Sequence, residues 1–150
     1  MNAVKKIGLA FTSITIQVDK EIQLLKECSP NSDEAKERQE AELDFLTNLR
    51  TYVSKVAGNA QGAHRDPETA AAHIAELNRK LEDIDSLLSR WWEENKEDAV
   101  EWCIRFPAIG FVIAALSLCG AHSGIVTGAA FASIGRKLFS KGQKITIGDS

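Results

Sequence analysis

The chain has 150 residues, 44% of them apolar and 26% charged, with a formal net charge of −3. That length favours one domain, or one domain with an appendage, and the composition excludes a wholly disordered chain. Three prolines and ten glycines exclude collagen-like and proline-rich classes, and the acidic balance gives no case for nucleic-acid binding.

In chain order, Val4, Ile7, Phe11, Ile14, Val18, Ile22 and Leu25 recur at three- and four-residue steps, which predicts an amphipathic helix. The β-branched residues between Thr12 and Val18 also alternate, so a strand remains open for that piece alone. The helix should stop near Cys28, ahead of Ser29-Pro30-Asn31. The short run Ile7–Phe11 after Lys5-Lys6 breaks into Thr12, Ser13 and Thr15 with no small-residue cleavage site, so a cleaved signal peptide is not expected.

A second helix is predicted to open at Ser32, with Asp33 and Glu34 facing the positive end of its dipole. Phe45, Leu46, Leu49, Tyr52, Val53 and Val56 supply its apolar face, and Gly58-Asn59 reads as its stop. Residues 58–65 then read as a loop, with Asp66 capping a third helix and Pro67 at its first position. In that helix Ala70, Ile74, Leu77, Leu81, Ile84, Leu88 and Trp91 alternate steps of four and three, a heptad seam of about three repeats. The second and third helices should form an antiparallel hairpin, whose seam is either internal or shared between protomers. The third helix is expected to run on, with a bend, to Phe106, where Pro107 breaks or kinks it.

Charge is distributed unevenly. Residues 1–105 carry 14 Lys/Arg and 20 Asp/Glu, whereas residues 106–135 hold no formally charged side chain beyond a titratable His122. A neutral stretch of that length reads as a membrane-inserting segment or a deeply buried helix. If Gly120–Gly124 is a turn, two short apolar arms form a hydrophobic helical hairpin. If the helix runs through, Gly120, Gly124, Gly128 and Ala132 form a small-residue face that lets helices approach closely, and the segment spans the bilayer. A third reading makes the stretch the buried central helix or hairpin of a soluble bundle, a fold that could also be a stored state opening at a membrane. Trp102 and Arg105 before the stretch suit a membrane–water interface, and Arg136, Lys137, Lys141 and Lys144 after it suit anionic lipid headgroups. The basic residues should stay on the cytoplasmic side, which favours the hairpin, because a single span would translocate an acidic helical domain. His122 is a candidate pH-sensitive group.

This order of parts, a helical domain followed by a hydrophobic hairpin and a basic tail, resembles the pore-forming domain of colicins. The resemblance is architectural. It rests on Ala108–Leu118, the Gly120–Gly124 turn and Ile125–Lys141, about a quarter of the chain, and it carries no diagnostic motif.

His64, His73 and His122 lack metal-ligand spacing, and His64 and His73 are expected to face solvent. Cys28, Cys103 and Cys119 imply no disulfide framework. Gly120-Ala-His-Ser-Gly124 misses the nucleophile-elbow pattern by one place, and no phosphate-binding loop is present, so an enzyme is the least favoured class. The expectation is an all-α chain with an acidic amphipathic bundle at 1–105, a membrane-inserting hairpin or span at 106–140 and a basic tail at 141–150. Its partners would be membrane lipid and further copies of itself, with residues 33–105 available to a protein partner. No cofactor and no nucleic acid are expected. The leading function is insertion into a bilayer with self-association and permeabilisation; the alternatives are a membrane-tethered scaffold and a soluble helical interaction module.

Overall fold

The computed structural model describes residues 3–119, and these form five α-helices with no strand among them. The helices are α1 (Ala3–Glu27), α2 (Asp33–Arg65), α3 (Ala70–Asn95), α4 (Ala99–Arg105) and α5 (Pro107–Cys119). Two compact units divide the chain within α3, the first ending at Ile84 and the second beginning at Asp85.

In the first unit α1 and α2 lie antiparallel. The stripe read from the sequence is the packed face of α1: Phe11, Ile14, Val18 and Leu25 are buried. So are Phe45, Leu46, Leu49, Val53, Val56, Ala57 and Ala60 of α2. Each of the Phe, Ile, Val and Leu side chains among them, once removed from water, contributes roughly 1.5–3 kcal/mol. Polar ties fix the register along the pair. Gln39 Nε2 donates to the carbonyls of Leu25 and Cys28, at 2.6 and 3.0 Å, where the chain turns. Arg50 forms an ion pair with Asp19 midway. Towards the other end Gln61 Nε2 donates to Thr12 Oγ1 at 3.4 Å. There, too, a Cβ built on Gly8 would lie 3.2 Å from that of Ala60, so the backbones meet closely because Gly8 has no side chain.

Ser32 caps α2 as its sequence position suggests: its backbone is extended and its hydroxyl accepts from the Ala35 N–H at 3.0 Å. The other end departs from expectation. Gly58-Asn59 does not stop the helix, which continues for seven residues beyond Gly58 to Arg65, so 58–65 is helix and not loop. Burial of Ala60 against Gly8 and the Gln61–Thr12 hydrogen bond favour continuation over the helix cost of Gly58 and Gly62, about 1 kcal/mol each. Asp66 is therefore the C-cap of α2, its N–H donating to the Gly62 carbonyl. Its carboxylate also accepts from the Glu68 N–H and the Thr69 hydroxyl, holding a turn at 67–69, so α3 opens at Ala70 and not at Pro67.

Within the first unit α3 returns antiparallel to α2. His73 Nδ1 lies 3.3 Å from Asn59 Oδ1, and Lys80 Nζ lies 5.9 Å from the centre of the Tyr52 ring. Asp83 and Glu76 hold that ammonium group from one side, at 3.1 and 3.5 Å. The expected α2–α3 hairpin is thus present, with a tighter connection than the sequence suggested.

Beyond Asp85 the expected continuous helix to Phe106 is broken. A turn at 96–98 ends α3, and α4 begins at Ala99 after Asp98. Lys96-Glu97-Asp98 are all exposed, so no apolar side chain is buried there to hold a helix across them. Pro107 is the first residue of α5, a position where its missing N–H costs nothing, and the chain bends by 107° between α4 and α5.

Candidate functional site

Helix α4 leads into the neutral stretch, which begins at the Phe106 corner and α5. Ala99 and Cys103 are buried on α4, and the Phe106 N–H donates to the Trp102 carbonyl at 2.7 Å, which closes the helix at the corner. The Trp102 ring packs edge-on to Trp91 and tilted against Phe106, with both centroid distances 6.0 Å. The Arg105 guanidinium sits 4.9 Å from the Phe106 ring centre, a cation–π contact. Trp102 and Arg105, expected at a membrane interface, are thus joined through an aromatic cluster in which Trp102 is half-buried.

Helix α5 carries no charge on any face. Ala108, Ile109, Val112 and Ile113 are buried, while Phe111 is 52% exposed and Ile104, before the corner, 54%. Its Ser117 hydroxyl donates back to the Ile113 carbonyl at 3.0 Å, so the one polar side chain described on α5 is satisfied within the helix. Among the described residues no single helix is long and apolar enough to cross a membrane, but α4 and α5 together pass that test as a bent pair. Burial pushes the Cys103 thiol up to about 12, so it is a neutral packing group at physiological pH.

The heptad seam of α3 is largely buried. Leu77, Leu81, Ile84, Leu88 and Trp91 are buried, and Ile74 alone of the seam's large side chains stays exposed, at 38%. The predicted His64 lies on the last turn of α2 and is exposed. His73, expected in solvent, is half-buried: a Cβ on Gly62 would meet its imidazole at 2.7 Å, so the ring rests on the space that glycine leaves. The small-residue row Gly120, Gly124, Gly128 and Ala132 lies outside the described residues. So do His122 and the basic residues Arg136, Lys137, Lys141 and Lys144.

One feature escaped the sequence reading. At the open end of the α1–α2 hairpin a groove of about 200 Å³ has a floor of Val4, Gly8, Leu9 and Ala60. Lys5, His64 and Arg65 stand round it. The close approach at Gly8 makes the groove, and only the antiparallel pairing of α1 with α2 brings Lys5 to Arg65. A helical wheel of α1 alone shows Leu9, Ile16 and Leu24 off the packed stripe, and that was the available signal. Among the described residues no cluster of three or more His, Cys, Asp or Glu side chains is placed to hold a metal ion. Comparison with known proteins finds no matching family model, no matching curated protein and no matching solved structure.

Proposed function

We propose that this chain is a membrane-inserting α-helical protein that self-associates in the bilayer and permeabilises it. The observation that carries the reading is the uncharged run 106–135, of which α5 is the described beginning. At 1.5 Å per residue α5 reaches about 20 Å, against roughly 30 Å of hydrocarbon, so insertion must draw in the residues that follow it. A hairpin closed at Gly120–Gly124 keeps the acidic helices and the basic tail together on the cytoplasmic side. Burial of Ala108, Ile109, Val112 and Ile113 fits a stored state that exchanges protein contacts for lipid ones. Exposed Phe111 and Ile104 supply the first apolar contact with the bilayer. The small-residue row then packs inserted helices together.

Carbonate extraction of membranes and dye release from liposomes test the proposal. Retention in the carbonate pellet with leakage supports it. A protein that carbonate removes entirely, or that leaves vesicles tight, overturns insertion or permeabilisation respectively. Retention without leakage would leave a membrane-tethered scaffold, with residues 33–105 free for a protein partner.

A further inference from the structure

We propose that the outer face of α1, together with the groove at its first turns, docks on an anionic phospholipid surface. This rests on the membrane reading above but assigns a separate surface, remote in sequence from residues 106–135.

The first observation is where the uncovered apolar groups lie. Of the six large apolar side chains exposed among the described residues, Leu9, Ile16 and Leu24 are on α1, at 56%, 54% and 63%. At 3.6 residues per turn they share an arc of about 80°, opposite the stripe that packs on α2. Ser13 and Lys20 fall within that arc, and Lys5 and Lys6 lie at its margins over the first turns.

The second observation is charge. Residues 1–105 are acidic as a whole, yet this face is basic. Of the acidic residues on α1, Asp19 is engaged by Arg50, Glu21 is buried, and Glu27 sits at the far end, where it accepts from Gln23. Lysine stems lie along apolar surface and carry their ammonium groups outward, which suits a helix lying in the headgroup layer. A second copy of the chain fits less well. It would oppose Lys5, Lys6 and Lys20 to the same lysines, and Ser13 and Lys20 interrupt the three apolar residues, so no continuous heptad seam exists.

The third observation is the groove. Lys5, His64 and Arg65 surround an apolar floor, and no described ion pair occupies any of the three. A phospholipid matches both parts. Its phosphate meets the cationic rim, and its first methylenes lie over Gly8, Leu9 and Ala60. The same end of the hairpin therefore supplies a headgroup contact and, through Leu9, an anchor.

The test uses the full-length protein and co-sedimentation with vesicles of phosphatidylcholine, with and without phosphatidylglycerol. Wild type should bind the anionic vesicles preferentially. The variant Lys5→Glu/Lys20→Glu should bind them at least about 25-fold less, since each basic side chain near such a surface is worth about fivefold. Leu9→Gln/Ile16→Gln/Leu24→Gln should also lose binding, with unchanged helicity by circular dichroism because the side chains are exposed. Lys55→Glu, an exposed charge reversal on α2, is the control and should change little. Equal binding to neutral and anionic vesicles would overturn the proposal. So would wild-type binding by both α1 variants, or loss of a dimer in Ile16→Gln with vesicle binding retained. The failure of insertion reads differently: binding that depends on α1 but is fully reversed by carbonate supports this surface and rejects insertion by 106–135.

Discussion

Gly58 and Gly62 lie about one turn apart on α2, and alanine should stabilise the protein at the first but not at the second. At Gly58 a built Cβ meets nothing within 4 Å, and the position is exposed and helical. Gly58→Ala therefore adds no contact and loses none. It gains the helix propensity difference, about 1 kcal/mol, largely by restricting the unfolded chain. For a chain of this size that is a rise in melting temperature of roughly 2–4 °C. At Gly62 the same methyl would sit 2.7 Å from two atoms of the His73 ring. The ring must swing away and give up Asn59 Oδ1, an overpacking cost of roughly 1–3 kcal/mol set against the same gain. Gly62→Ala should thus be neutral to destabilising by up to about 2 kcal/mol. Removing the imidazole isolates the cause. In a His73→Ala background, Gly62→Ala should become stabilising by about 1 kcal/mol, as at Gly58. Urea unfolding followed by helical circular dichroism measures all four variants. Destabilisation by Gly58→Ala would refute the reasoning, because it would mean that the chain leaves the helix there with a backbone that only glycine tolerates.

Further outcomes follow from single contacts. Ser32→Ala should cost about 1 kcal/mol in the same urea assay, through loss of the hydroxyl that receives the Ala35 N–H. Gly8→Leu should destabilise by roughly 1–3 kcal/mol, because even a methyl there would touch Ala60 at 3.2 Å. A thiol reagent applied to the native protein at pH 8 should modify exposed Cys28 and spare buried Cys103, which peptide mapping will show; equal labelling would place Cys103 at the surface. The folded thiol of Cys103 is raised above its unfolded value, so its contribution to stability is complete below the unfolded pKa. It should be lost as pH rises towards about 12, and Cys103→Ala should flatten the alkaline limb of the stability profile.

Legibility in the sequence followed locality. The α1 stripe, the Ser32 cap and the α3 seam were readable because each is set by neighbours within a turn or two. Gly58-Asn59 imitates a stop because the residue that carries α2 onward, Ala60, gains its burial from a tertiary partner. The break at 96–98 has no local signature for a related reason. Its three charged residues look like any solvated helix face when no packing partner is known. Nothing local marks His73 as half-buried, because its seat on Gly62 is made by another helix. The groove beside Lys5 required the chain ends of α1 and α2 to meet, which no local pattern announces.

The register of the first unit has a consequence for how the protein is made. Each of its helices leans on the one next to it in sequence, with ties from Asp19 to Arg50 and from Asn59 to His73. Contacts of such short range close quickly, on a scale of microseconds to milliseconds, whereas ribosomes add roughly 5–20 residues per second. The helical hairpins can therefore be in place seconds before the greasy segment leaves the exit tunnel. The nascent chain can then display the basic residues of α1 while the uncharged run 106–135 is still within the ribosome.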